Sequence, residues 1–398
     1  MTPSSRTLVL IGGGHSHVEV LRRFARRPMA GVRIVLIGRD RYTPYSGMLP
    51  GLVAGRYSFD ETHIDLAPLC RAARAEFVQD EAIGLDPAAR AVLCRSGAMY
   101  RYDIVSLNIG SSPAAGLDAP REPNETDRAR IHAPIHADIH ADIAVKPIGR
   151  FLGQWADLCA HACTSPAQLR IAVVGTGAGG VEMVLAMQYR LNALLATAAT
   201  AIPPPAFTLF GRAPHILPQH AASAGHRFTT VLAARGITVI TGEDVTGLGD
   251  GRLRRADGSI ADFDAVLWVT SASAAPWLRR TSLALTPDGF IAVTRHLRSI
   301  SHASVFAAGD IATMSGDQRP KSGVYAVRQG PPLADNLRRA LQDRPLRPYR
   351  PQRSALALIT TGERNVIATR GNWSFQARLL WHWKDRIDRR FMRRYRVD

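Results

Sequence analysis

Two sets of glycines in this chain have the spacing that cradles a pyrophosphate. Gly175, Gly177 and Gly180 complete the pattern G-x-G-x-x-G, and Gly12 and Gly14 begin the same pattern with His17 in its third place. In such a turn the first glycine allows a tight bend and the second lets a phosphate approach the backbone. The third lets the following helix lie close to its strand, and the helix N-terminus offers free N–H groups and a positive dipole end. A histidine in the third place predicts a first helix standing slightly away from its strand. One such turn is a weak signal, but the chain makes it twice.

The flanking elements suit the chemistry. Leu8 to Ile11 is a short apolar run of the buried parallel-strand kind, and Val18, Leu21 and Phe24 follow at helical spacing. Val32 to Ile37 reads as the second strand, with Asp40 beyond its end as a stand-in for the carboxylate that takes ribose hydroxyls. Tyr42 to Gly51, rich in proline, glycine and aromatics, is either a surface against a flat ring or a plain connection. Arg74–Val78 and Arg90–Cys94 read as strand pieces around a turn, and Asp103–Asn108 as a buried strand ending in Ile109-Gly110. Before the second motif, Phe151 to Cys163 reads as an amphipathic helix carrying Cys159 and Cys163, a redox pair or simply small core residues. After that motif, Phe207–Phe210 ends in Gly211-Arg212 with no acid, which tilts the second site toward a 2′-phosphate and hence NADPH. Near the C-terminus, Ser304–Ala312 delivers Gly309-Asp310 at a strand end, where Asp310 can accept a hydrogen bond from a ribityl or ribose hydroxyl. A helix starting near Pro320 aims its N–H groups at the same crevice.

Composition excludes several classes. With 46% hydrophobic and 21% charged residues over 398 positions, the chain reads as two or three ordinary globular domains. It has no apolar run long enough for a membrane span, no signal-peptide pattern and no disulfide framework in its 4 cysteines, so a cytoplasmic protein is expected. The net charge of +17 does not point to nucleic acid, because arginine is spread along the whole chain. Of the 50 basic residues only Lys146, Lys321 and Lys384 are lysine, either chance leftovers of an arginine-rich composition or sites where a compact ammonium is needed. His132, His136 and His140, four apart, with Asp138 and Asp142, would line up on a helix as metal ligands. Pro134 argues against that helix and for a surface insertion, so no metal is assigned. Strand-like segments at 354–362 and 365–371 precede Leu379–Tyr395, whose stripe Leu380, Trp383, Ile387, Phe391 and Tyr395 is flanked by basic residues from Lys384 on. That helix would lie on an anionic membrane, or dock on its own protein or on a twin subunit.

Two nucleotide motifs closed by a late Gly-Asp imply two cofactors in one chain. The arrangement resembles the two-dinucleotide-binding-domain flavoproteins of the pyridine nucleotide–disulfide oxidoreductase superfamily, from about Leu8 to Arg394. Within it the chain is most similar to type II NADH dehydrogenases and to the flavoprotein branch found fused to selenophosphate synthetase. GGGHSHVEVLRRF, YTPYSGMLPGLVAG, VKPI, RPKSGVYAVRQGP and WHWKDRIDRRFMRRY carry that similarity. The resemblance implies an α/β fold: two Rossmann-like domains with parallel central sheets in three layers, plus a small C-terminal α+β segment. Residues 1–145 with 289–336 would bind FAD, 146–288 would bind NAD(P)H, and 337–398 would form an interface or membrane-facing end. By the same resemblance Gly12, Gly14, His15 and Gly110 border FAD and Asp310 holds its ribityl chain. Gly175, Gly177 and Gly180 hold the NAD(P)H pyrophosphate. Glu182 would face the contact of nicotinamide with flavin, and Gln329 would lie beside the flavin ring and a quinone. Lys321 would stabilise negative charge on the reduced ring. Val324 falls where the dehydrogenases carry another glutamine, a departure at the quinone site. No cysteine pair follows the first helix and none lies beyond Cys163, so electrons should leave the flavin without passing through sulfur. A quinone acceptor is expected. The alternatives are a small soluble acceptor, such as a selenium compound, and a low-turnover flavin sensor.

Overall fold

The structure is a computed structural model that describes residues 6–113, 141–146, 148–198, 202–270 and 272–397. Most of the His/Asp repeat at 131–143 lies outside the described residues. Its Asp142 is described, and it accepts a hydrogen bond from Trp268 Nε1 at 3.0 Å.

Two five-stranded parallel sheets carry the chain. The first contains β1 (Arg6–Ile11), β2 (Val32–Gly38), β3 (Ala75–Gln79) and β4 (Ile104–Leu107). The second contains β5 (Ala141–Ala144), β6 (Arg170–Val174), β7 (Ala206–Gly211), β8 (Thr238–Thr241) and β9 (Ala265–Trp268). A late strand, β10 (Val305–Ala307), returns to the first sheet. The strand orders are β10-β4-β1-β2-β3 and β5-β9-β6-β7-β8. The two sheets therefore share one plan, in which a glycine-turn strand sits centrally and two strands step outward on one side of it. A third strand pairs on the other side and is covered by an edge strand. That edge strand comes from far downstream in the first sheet and from upstream in the second, so the chain crosses between the units twice. The second sheet begins at Ala141, ahead of the Lys146 boundary read from sequence. Leu8, Val9 and Leu10 in β1, and Ile171, Ala172 and Val173 in β6, are fully buried, as strands covered on both faces require.

One pairing differs from the sequence reading. Ala75–Gln79 does not turn back onto the next strand but pairs in parallel with β2. Ala91–Cys94 instead sits in a separate antiparallel sheet with Ala82–Asp86 and Met99–Arg101. Local alternation is the same in both settings, and only the long-range partner distinguishes them.

Four helices matter for the site. These are α1 (His15–Arg26), α2 (Ala178–Leu195), α3 (Gly323–Ala340) and α4 (Leu379–Arg393). Helices α1 and α3 cross closely because position 330 is glycine: a Cβ there would lie 2.7 Å from Glu19 Cβ. Ser16 Oγ ties the same crossing by donating to the Ala326 carbonyl at 2.6 Å. The C-terminal segment forms a three-stranded antiparallel sheet (Ala357–Thr360, Val366–Arg370, Trp373–Ala377) followed by α4. The end of the chain is anchored where Tyr395 donates to buried Glu19 at 3.0 Å, beside Arg22.

Candidate cofactor crevice

Strand order reverses beside β1 and again beside β6, and ligands of open α/β sheets bind at such points, beyond the strand ends. Both glycine turns stand there, built alike. Gly12 has φ +87°, and a Cβ on it would lie 2.6 Å from the Asn108 carbonyl at the end of β4. Gly175 has φ +131°, and a Cβ on it would lie 2.4 Å from the Val269 carbonyl at the end of β9.

The third position is where the two turns part. A Cβ at Gly180 would fall 1.7 Å from the Gly175 carbonyl. His17 has a side chain there, fully buried, so the first turn of α1 cannot sit as α2 does. The ring uses the space: Nδ1 lies 2.7 Å from the Gly12 carbonyl and Nε2 lies 2.9 Å from Ser106 Oγ. A carbonyl only accepts, so Nδ1 carries the proton and Nε2 accepts from the hydroxyl. Burial lowers the imidazole pKa to about 4, so the ring is neutral. His17→Ala leaves a void and two unpaired polar groups, an expected loss of about 2–4 kcal/mol in denaturant unfolding.

Asn108 is a hub that sequence reading missed. Its Oδ1 accepts from the N–H groups of Ser16 and His17 at 3.0 and 3.3 Å, and its Nδ2 donates to the Ala308 carbonyl at 2.7 Å. It thus joins the start of α1 to the turn that presents Gly309 and Asp310. Gly309 (φ +73°) is pressed against Asn108 Nδ2 and donates its N–H to Gln329 Oε1 at 2.6 Å. Gln329 therefore props the Asp310 turn, where the resemblance had implied a place beside the flavin ring. The Asp310 carboxylate takes Lys146 Nζ at 3.1 Å and Ser111 Oγ at 3.2 Å. Gly110 precedes that serine with φ +71°. Asp40, by contrast, is mostly exposed and pairs with Arg39 at 3.2 Å.

The turn has features suited to FAD. His15 opens α1 with its Nε2 buried and unpartnered, near the rings of Tyr45 (5.5 Å) and Phe391 (6.0 Å). Burial lowers its pKa to about 4, so it stands as a neutral group with hydrogen-bonding capacity to spare. The close glycines, the His15 ring and the Asp310 carboxylate together fit a bound dinucleotide with a ribityl chain.

The second turn opens into a cavity of about 1280 Å³, lined by Gly175, Thr176, Gly177 and Arg212 at one part and by Lys146, Phe290 and Lys321 at another. Ligand pockets commonly run to roughly 300–1,000 Å³, so this one has room for a whole dinucleotide. Gly177 is the N-cap of α2, and a Cβ on it would meet nothing within 4 Å, so its bare backbone faces open space. The N–H groups at the N-terminus of α2 are thereby open to an anion of the pyrophosphate kind. Lys321 Nζ donates to the Ala312 carbonyl at 2.5 Å and to Thr313 Oγ1 at 2.7 Å, and lies 4.1 Å from the Phe290 ring centre. Burial lowers its pKa to about 8, although Asp310 and Asp288 pull the other way.

Glu182 points away from that cavity. Its Oε1 accepts from Thr360 N at 2.6 Å and Thr360 Oγ1 at 2.9 Å, in the C-terminal sheet. Its charge is felt by Lys384, whose Nζ donates to Asp388 at 2.7 Å and to the Gly47 carbonyl at 2.8 Å. Burial pushes both carboxyls, Glu182 and Asp388, above the usual range. The three lysines of the chain thus lie on Asp310 (Lys146), in the cavity (Lys321) and on this buried acid cluster (Lys384).

Comparison with known proteins agrees with this architecture. The pyridine nucleotide-disulphide oxidoreductase family profile matches residues 6–330. The chain belongs to this family. Sulfide-quinone reductase of Aquifex aeolicus is 27% identical over 129 residues, 32% of this chain and 30% of that protein. The solved structure of that organism's sulfide:quinone oxidoreductase superposes with a TM-score of 0.77 at 16% identity, covering 98% of this chain and 91% of that one. Demethylphylloquinone reductase of Synechocystis sp. is 29% identical over 203 residues, 49% of this chain and 48% of that protein. Type II NADH:quinone oxidoreductase of Staphylococcus aureus is 20% identical over 351 residues, 86% of this chain and 84% of that protein. The chain spans less than half the length of the first two relatives by sequence. Its two parallel five-stranded units, each opened by a glycine turn, are the two-Rossmann-unit architecture.

The four cysteines are free. Burial pushes Cys70 and Cys159 up to about 12 and Cys94 up to about 11, far from the thiolate that disulfide chemistry needs. Among the described residues no helix is long and apolar enough to cross a membrane. Helix α4 divides along its length: Phe391, Met392 and Tyr395 are buried, while Leu379, Trp383 and Ile387 are exposed. Its basic residues divide too. Lys384 and Arg389 turn inward to Asp388, Asp385 and Glu61. Arg386, Arg390, Arg393 and Arg394 make no side-chain ion pair among the described residues.

Proposed function

We propose that this enzyme takes a hydride from NAD(P)H in the 1280 Å³ cavity and passes electrons to a quinone, with FAD held between the two units. The flavin supplies the hydride and electron chemistry, and the protein supplies positioning and charge. The observation that carries the reading is the Lys146–Asp310 pair at 3.1 Å, which joins the start of one nucleotide unit to the closing turn of the other. Residues 1–140 with 289–336 hold FAD through Gly12, Gly14, His15 and Asp310. Residues 141–288, which include the edge strand β5, hold NAD(P)H through Gly175, Gly177 and Gly180, and residues 337–398 form the acceptor end. Lys321 Nζ supplies positive charge at the cavity. Glu182, Lys384 and Asp388 form a buried proton-holding cluster beside the loop at Gly47.

The test is anaerobic stopped-flow of the FAD-loaded enzyme. NADH or NADPH should bleach the flavin absorbance, and a short-chain quinone should restore it. A flavoprotein that neither nucleotide bleaches would defeat the proposal. Restoration by soluble acceptors but by no quinone would move the acceptor to the small-molecule class.

The charge on Lys321 sets a pH dependence. Its ammonium is present below a pKa of about 8 and lost above it, so bleaching should slow as pH rises through that value. Lys321→Met should bleach slowly at every pH and flatten the profile.

Helix α4 is proposed to rest on an anionic membrane surface. Sinking Leu379, Trp383 and Ile387 into the interface gains up to roughly 1.5–3 kcal/mol each, and each free arginine adds about 1 kcal/mol near such a surface. Trp383→Ala with Ile387→Ala should weaken flotation with anionic vesicles by roughly tenfold or more. Flotation unchanged by that pair would remove α4 as the contact.

A further inference from the structure

We propose that the second nucleotide site is built for a 2′-phosphate, and that Arg212 selects NADPH over NADH. The inference rests on the donor reading above and deepens it.

NAD-binding Rossmann units place a carboxylate at the end of the second strand, where it accepts from the ribose hydroxyls. Here that strand, β7, ends at Gly211, and the structure shows why no acid stands there. A Cβ at Gly211 would lie 2.2 Å from Thr176 Oγ1 and 2.3 Å from Thr176 Cγ2. Thr176 sits between Gly175 and Gly177, inside the phosphate turn itself. The turn and the strand end are fitted to each other, and the fit forbids any side chain at the acid's position.

The next residue, Arg212, is exposed and lines the same cavity as Thr176 and Gly177. Among the described residues it makes no ion pair and no side-chain hydrogen bond. Its planar fork suits a phosphate dianion, which can take two parallel N–H donors.

Two carboxylates near this strand end must be accounted for. Glu243 donates its backbone N–H to the Gly211 carbonyl at 3.2 Å, so it stands beside the site. Its carboxylate is clamped by Arg255, with Nε at 2.7 Å and Nη2 at 2.9 Å, which holds its pKa below the usual range. The clamp occupies both oxygens that could accept from a ribose 2′-hydroxyl and offsets the charge that would repel a phosphate. Asp244 is exposed, where solvent and salt screen it. The Glu243 carboxylate is thus occupied, Asp244 lines the cavity as a solvent-screened carboxylate, and Arg212 is the cation at the strand end with no ion-pair partner among the described residues.

The test uses titration calorimetry on the FAD-loaded enzyme with two redox-inert fragments, 2′,5′-ADP and 5′-AMP, so that the reading does not depend on turnover. A charge-assisted bidentate contact predicts roughly 10- to 100-fold tighter binding of 2′,5′-ADP, with the margin shrinking as salt rises. Arg212→Ala should remove most of that margin and leave 5′-AMP affinity unchanged, and Arg212→Lys should keep part of it. Equal affinities in the native enzyme, or a margin that survives Arg212→Ala, would overturn the proposal while leaving the donor reading intact. Failure of both fragments to bind would overturn both.

Discussion

Gly180→Val is expected to abolish bleaching of the flavin by NADH and NADPH while FAD stays bound. The cause is steric and local to the second unit. The Cβ would fall 1.7 Å from the Gly175 carbonyl, so either the phosphate turn or the N-terminus of α2 must move. Both present N–H groups to the pyrophosphate, and a shift of about 1 Å in such a contact is enough to cost ~10²-fold in rate. Gly180→Ala meets the same carbonyl and should show the same loss in smaller measure. The checks are single-turnover bleaching and the flavin absorbance of the purified variant. Native-like bleaching in Gly180→Val would mean that the nucleotide does not use this turn. The first unit shows what accommodating a side chain requires, since His17 is held by hydrogen bonds to Gly12 and Ser106. Valine can make neither.

Asp310→Ala is expected to yield protein largely free of flavin. Asp310 accepts from Ser111 and Lys146 and sits on the turn that Gln329 supports through Gly309. Removing the carboxylate deletes the group proposed to hold the ribityl chain and leaves the Lys146 ammonium without its partner. Loss of a charge-assisted hydrogen bond and the exposed mispairing together predict flavin binding weaker by roughly 10- to 100-fold. Asp310→Asn keeps the shape and one acceptor oxygen, so it should retain flavin better than alanine. Fluorescence titration of the apoprotein with FAD measures both. An alanine variant that keeps its full flavin complement would remove Asp310 from the site.

The glycine turns were legible because their requirement is local. A positive φ at Gly12 and Gly175, and a backbone open to a phosphate at Gly177, depend on residue type at fixed spacing and on nothing distant. The family resemblance carried the fold. The partners of Gln329 and Glu182, the Gly309 backbone and Thr360, are visible only in the folded chain. The reading of α4 as either docked or membrane-facing divides in the structure, since periodicity shows an apolar stripe but not how far the protein covers it.

By itself the sequence determined the two glycine turns and the parallel α/β class, because each follows from residue type and spacing. Only the tertiary structure decided which strands are neighbours and which side chains meet. It placed Ala75–Gln79 beside β2, put Ala141–Ala144 at the edge of the second sheet, made Asn108 the link between α1 and Asp310, and set Thr176 where Gly211 can carry no side chain. Those outcomes are contacts between residues tens to hundreds of positions apart. Their energies come from close packing and buried hydrogen bonds that exist only once the backbone has brought the partners together.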